Sequence, residues 1–150
     1  MSIAIAEALV KAGEKDIESI MGAVKDEFIK WYHHPDTPIE APGGTCLRGV
    51  ENLEKGLHWK ETGNPDKKAC GSAMRAAPIG YFYQNDPDKL RTVAHATGTC
   101  THGHPTGDAA CIGAAYLAKL VLDGIPPEKM ILEMLSFTEG KSSLMIPSSK

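Results

Sequence analysis

The sequence predicts an all-α fold. Three observations lead there. Apolar residues recur every three or four positions through most of the chain, no stretch alternates apolar and polar residues as a strand would, and Asp, Pro and Gly stand where helices should begin and end. The 150 residues carry 16 Lys and Arg against 19 Asp and Glu, a net charge of −3, which excludes a protein held to nucleic acid by a strong basic field. Hydrophobic residues make up 42% and charged residues 23%, as in an ordinary globular domain. A chain of this length can bury roughly two-thirds of its unfolded surface. No apolar run reaches the roughly 20 residues that span a bilayer, so no membrane partner is expected. The start, Met1-Ser2-Ile3-Ala4-Ile5-Ala6-Glu7, has no basic leader and makes a poor signal peptide. Cys46, Cys70, Cys100 and Cys111 form no Cys-x-x-Cys pair, and reduced thiols in a cytoplasm suit them better than a disulfide frame.

Ser2–Ala12 reads as the first helix, with Ile3, Ala6, Leu9 and Val10 on one stripe, Glu7 and Lys11 as an i,i+4 pair, and Gly13 at its end. Asp16 caps a second helix from Ile17 to about Tyr32, whose apolar positions Ile17, Ile20, Met21, Val24, Phe28, Ile29 and Trp31 have helical spacing; Pro35 and Pro38 stop it. Residues 40–45 are a turn-rich loop, and Thr45 is expected to cap a short helix from Cys46 to about Leu57. Residues 58–72 are polar and read as a loop. Ala73 to Tyr83 is apolar but interrupted by Pro78 and Gly80, which predicts a kinked buried helix. Asp86 followed by Pro87 starts the next helix, ending near Gly98. Cys100 to Pro105 is a loop, and Thr106–Leu122, rich in small residues, predicts a helix packed closely on its neighbours. Pro126 and Pro127 open a last helix to about Phe137, and the Ser-rich tail from Glu139 to Lys150 is expected to fray.

Three segments are polar or small where a plain bundle would not need them. In Ala41-Pro42-Gly43-Gly44-Thr45-Cys46-Leu47, a glycine pair before a helix leaves N–H groups that can meet an anion, although an ordinary turn and cap explains it as well. In Lys67-Lys68-Ala69-Cys70-Gly71-Ser72-Ala73-Met74-Arg75, the Gly71-Ser72 turn with two lysines upstream suits a phosphate, against the plainer reading of a solvated loop. A helical Arg75 held inside needs a carboxylate or a backbone carbonyl as partner. In Thr101-His102-Gly103-His104-Pro105-Thr106-Gly107, a histidine can donate to a ligand phosphate or ribose, or satisfy exposed groups at a helix junction. Cys100, His102 and His104 are alternatives as zinc ligands, but their spacing does not match the usual zinc patterns. There is no Gly-x-Ser-x-Gly elbow and no P-loop. Asp86 and Asp88 flank a proline at a helix start, where capping is their first role.

These segments, in this order, resemble the ADP-ribosylglycohydrolase family, which includes the dinitrogenase reductase-activating glycohydrolases and the J-type crystallins. The matching pieces are residues 41–47, 70–80 and 101–107, and the resemblance covers residues 3 to 136. It implies an orthogonal all-α bundle of nearly twice this length, whose members cleave the bond between ADP-ribose and a protein side chain with a two-metal magnesium or manganese centre. Carried over, Gly71 and Ser72 belong to a diphosphate-side loop and His102 lies near the ADP-ribose phosphates. Cys70, His104 and Gly44 are weaker candidates, and Met74 and Arg75 are structural. One common form of the motif has Asn where Cys70 stands. The acidic Thr-Asp-Asp-Thr and Asp-x-Asp-Thr segments that supply metal ligands in the family are absent from this sequence. Residues 1–138 are therefore expected to form an incomplete helical domain that keeps part of the ADP-ribose pocket, binds no magnesium or manganese alone and is inactive alone. A module that binds ADP-ribose or a nucleotide without cleaving it, or a crystallin-like structural protein, are the alternatives. The implied partners are ADP-ribose or an ADP-ribosylated protein, with a partner chain or a second copy covering exposed core faces.

Overall fold

A computed structural model describes residues 1–139, and among them the chain is helical with no strand. Helix α1 (Ser2–Ala12) packs on α2 (Ile17–Tyr32). Asp16 caps α2 as its sequence position predicts, its carboxylate accepting from the N–H groups of Glu18 at 3.1 Å and Ser19 at 3.0 Å. The buried face of α1 is Ala4, Ile5, Ala8, Leu9 and Ala12, which corrects the stripe drawn through Ile3 and Val10. Alanines four apart let the α1 backbone come close to its neighbours, and that row turns inward. Ile3 and Val10 are left 76% and 80% exposed.

Lys11 also departs from its expected partner. It crosses to Glu27 on α2 rather than pairing along the helix with Glu7. Glu27 is buried and receives Lys30 at 2.7 Å as well. Hydrogen bonds from Lys11, then Lys30, hold its carboxyl down at about 2, from an ordinary 4.5. The depressed value means that the unfolded chain takes up this proton first as pH falls. The stabilisation is therefore present above pH 4.5 and lost towards pH 2. Both lysines are more than half exposed, which limits the contribution to about 1 kcal/mol. Urea titrations of a Glu27→Gln variant should show that loss at neutral pH and a flatter stability profile below pH 4.5.

Helix α3 (Gly44–Glu54) starts two residues earlier than expected, and its cap is the extended Gly43, without a side-chain hydrogen bond. Thr45 therefore sits inside the first turn rather than capping it. The helix also stops short of Leu57, because Gly56 takes a left-handed φ of 89°. The kinked segment resolves into two pieces: a 3-10 turn at Ala73–Arg75 and a short helix α4 (Ala77–Phe82). Pro78 lies in the first turn of α4, where its missing N–H is no loss.

Helix α5 (Pro87–Thr99) is capped by Asp86, whose side chain accepts from Lys89 N–H at 3.0 Å. Helix α6 (Pro105–Leu122) is capped by His104. It lies so close to α4 that a Cβ on Gly80 would stand 2.0 Å from the Ala115 carbonyl oxygen. Helix α7 (Pro127–Glu139) packs on the outside of α6, with the Phe137 ring stacked on Tyr116 at 3.8 Å, and no residue of α7 is fully buried. The core joins Ile5, Leu9, Ile20, Val24, Phe28, Ile79, Leu90, Val93 and Ile112 from α1, α2, α4, α5 and α6. The four cysteines are free thiols, Cys70 exposed and the others buried. No described helix is long and apolar enough to cross a membrane. The tail expected to fray lies, past Glu139, outside the described residues.

Candidate functional site

The site forms where α5 ends. The last carbonyls of a helix have no partner within it and need donors from elsewhere. Here the stretch that reads as a solvated loop supplies them. The Thr62 hydroxyl lies 2.7 Å from the Cys100 carbonyl oxygen. The Asn64 N–H donates to the Thr101 carbonyl at 3.3 Å. Arg75 donates from Nη2 to the Thr97 carbonyl at 2.7 Å. Gly63 makes the approach possible, since a Cβ there would stand 1.9 Å from the Thr99 carbonyl oxygen. Residues 58–75 are thus drawn against residues 97–103.

Beside this junction lies a cavity of about 410 Å³, walled by Trp31, Glu40, Gly43, Cys70, Gly71, Arg75 and His102, within the size range of small-molecule sites. The chain brings Cys70, Gly71 and His102 together there, although the first and the last are 32 positions apart. Gly71 is the tightest point. A Cβ on it would stand 2.9 Å from the Cys46 sulfur and from Cε1 and Nε2 of His102.

The other candidates lie elsewhere. Ser72 is fully buried and its hydroxyl donates to the Gly107 carbonyl at 3.0 Å, so it ties the 70–72 turn to the start of α6 and does not face the cavity. Gly44 borders a separate cleft with Arg48, Asn64 and Lys67. His104 accepts from Thr106 N–H at 3.1 Å as the cap of α6. Met74, read as structural, is exposed and forms part of the cavity rim. The zinc alternative loses its ligand set, because Cys100, His102 and His104 turn to three different partners. The Cys100 thiol is directed at the Thr97 carbonyl at 3.2 Å, and burial pushes it up to about 11.

Arg75 was legible as a buried cation in need of a carboxylate or a backbone carbonyl, and of the two the Thr97 carbonyl is the partner. What the sequence does not show is that it forms part of the cavity. It is 2% exposed, and among the described residues no carboxylate pairs with it. Nη2 also reaches the Thr101 hydroxyl at 2.5 Å, Nη1 faces the sulfurs of Met1 and Cys46 at 3.6 and 3.7 Å, and Nε has no partner. The guanidinium sits 5.0 Å from the Phe28 ring centre. A charge this enclosed and this unpaired favours an anion in the adjoining space. Burial first, then the Arg75 charge, lowers His102 to about 4, so the ring is neutral near pH 7. Trp31 and Glu40 are further wall residues that the motifs do not reveal; Trp31 Nε1 donates to Glu40 at 2.9 Å.

Hard divalent cations require several oxygen ligands on one frame. Among the described residues, Glu40 is the sole carboxylate lining the cavity, and no three His, Cys, Asp or Glu side chains are grouped to hold a metal ion. These residues do not fit a magnesium or manganese pair.

A family model described as ADP-ribosylglycohydrolase matches residues 1–148. The chain is 29% identical over 147 residues to the ADP-ribosylhydrolase ARH1 of Dictyostelium discoideum, covering 91% of this chain and 36% of that protein. It is 28% identical over 127 residues to the ADP-ribosyl-[dinitrogen reductase] glycohydrolase of Rhodospirillum rubrum, covering 83% and 40%. It is 27% identical over 146 residues to an uncharacterized protein of Archaeoglobus fulgidus, covering 95% and 45%. The chain spans less than half the length of each of these relatives.

Proposed function

The chain belongs to the ADP-ribosylglycohydrolase family, and from that premise we propose that its cavity holds the phosphate-bearing part of ADP-ribose and that this chain by itself does not cleave the glycosidic bond. The observation that carries the reading is Arg75, a buried guanidinium with no carboxylate partner among the described residues and one wall of a ligand-sized cavity. An anionic diphosphate would supply the missing charge. Gly71 lets backbone approach a ligand where a side chain would block it. His102, neutral at physiological pH, offers a hydrogen-bonding edge rather than a second charge. The apolar surfaces of Trp31 and Met74 at the cavity suit the flat parts of a nucleoside.

Cleavage is a separate demand. A metal pair supplies an activated water and a clamp on the departing group, and the donors in this cavity do not support one. Free thiols, three of them buried, suit a cytoplasmic setting, and an ADP-ribosylated protein is the natural partner. The test is incubation of the purified chain with a mono-ADP-ribosyl-arginine peptide and magnesium or manganese. The expected result is retention of the label on the peptide, from a sample that binds free ADP-ribose. Sustained release of ADP-ribose would overturn the inactivity. Absence of binding would leave a structural role.

A further inference from the structure

The ring nitrogens of His102 have unequal surroundings. Nδ1 lies 2.7 Å from the Thr101 hydroxyl. Nε2 has no hydrogen-bond partner among the described residues and lies at the Gly71 side of the cavity. The Thr101 hydroxyl is fully enclosed, and its other neighbour is Arg75 Nη2 at 2.5 Å. Those two contacts fix the proton order. A guanidinium can only donate, so Arg75 fills an acceptor position on Thr101. The single hydroxyl hydrogen of Thr101 then needs an acceptor, and Nδ1 is the one within reach. An Nδ1 that accepts is unprotonated, and in a neutral imidazole the hydrogen must sit on Nε2.

We propose that Arg75, acting through Thr101, fixes His102 in the tautomer that carries its hydrogen on Nε2, so that the cavity is presented with a hydrogen-bond donor. Arg75 and Thr101 are positioning residues in this account: neither needs to touch the ligand to decide what His102 offers it. Burial first, and then the field of the same guanidinium, disfavour imidazolium and keep the ring uncharged. A phosphate or ribose oxygen, which accepts, meets a donor; a ligand group that itself donates meets a mismatch and is selected against. The use of that donor on ADP-ribose rests on the function proposed above, whereas the tautomer itself does not.

The experiment is a long-range nitrogen–proton correlation spectrum of the histidine rings in the full chain without ligand at pH 7. His102 should show a protonated Nε2 and an unprotonated Nδ1. Thr101→Val, nearly the same shape, should give a mixture of tautomers and weaken ADP-ribose binding about tenfold, the effect of one hydrogen bond; Thr101→Ser should restore both. Arg75→Met is a second route. It frees the Thr97 carbonyl, four residues before Thr101, to take the hydroxyl hydrogen, which leaves the hydroxyl to accept from Nδ1 and should shift the ring towards the opposite tautomer, a change that a purely space-filling Arg75 would not produce. A hydrogen on Nδ1 in the unsubstituted chain, a charged ring at pH 7, or an unchanged tautomer in both Thr101→Val and Arg75→Met would overturn the proposal. The expected tautomer in a chain that binds no ADP-ribose would uphold the relay and reject the ADP-ribose reading.

Discussion

Gly80→Ala is expected to destabilise the bundle by about 3 kcal/mol, at the upper end of overpacking effects. Local preference argues the other way, because alanine is about 1 kcal/mol better than glycine inside a helix. Packing decides the sign. The added methyl would stand 2.0 Å from the Ala115 carbonyl oxygen and 3.0 Å from the Ala118 Cβ. That carbonyl belongs to the α6 backbone and cannot rotate away as a side chain can, so α4 must lift from α6. The lift would open the core at Ile79 and Ile112, both buried there. Gly22→Ala on α2 is the matched control, since nothing lies within 4 Å of its added methyl, and it should gain about 0.5–1 kcal/mol. Urea unfolding of both variants with equal slopes tests the pair. Equal stability of the two would show that α4 and α6 are not in contact at Gly80.

Arg75 gives the second large effect, and the choice of replacement separates its roles. Arg75→Ala removes the donor to the Thr97 carbonyl, takes from the Thr101 hydroxyl one of its two partners and leaves a void beside Phe28. A loss of about 3 kcal/mol is expected from the orphaned groups and the cavity together. Arg75→Met keeps most of the volume and relieves the burial of an unpaired charge, so its loss should be about 1 kcal/mol, with partial offset of the lost hydrogen bonds. Both variants should lose ADP-ribose binding, because neither retains the positive charge. Chemical denaturation and ligand titration of the same two proteins measure both predictions. An Arg75→Met chain that binds as well as the unsubstituted one would show that the charge does not hold the ligand.

The helices were legible because their signals are local. Asp16 and Asp86 mark two starts through their own side chains, and both cap as expected. The rotation of α1 was not legible. Ile3 and Val10 are more apolar than Ala4 and Ala8, but small size rather than hydrophobicity selects the face that meets α2, and which neighbour arrives is a tertiary fact. The site was partly legible for a similar reason. The motifs mark Cys70, Gly71 and His102, which do share a cavity. They also mark Ser72, whose hydroxyl turns the other way because Gly107 of α6 lies behind it. The link from Arg75 to Thr101 spans 26 positions, and no spacing rule in the sequence connects them. Most polar side chains of the loop 58–72 are exposed, as its composition suggests; Thr62 and Ser72 are buried exceptions, the Thr62 hydroxyl lying on the Cys100 carbonyl at the end of α5.

Titration calorimetry of the unsubstituted chain with ADP-ribose reads the occupancy of this cavity without relying on turnover. Saturable binding of one ADP-ribose per chain is the predicted result, lost in Gly71→Ala, whose methyl would stand 2.9 Å from His102 Nε2. No heat of binding from the folded chain, or equal binding by Gly71→Ala, would contradict the assignment of this cavity to ADP-ribose.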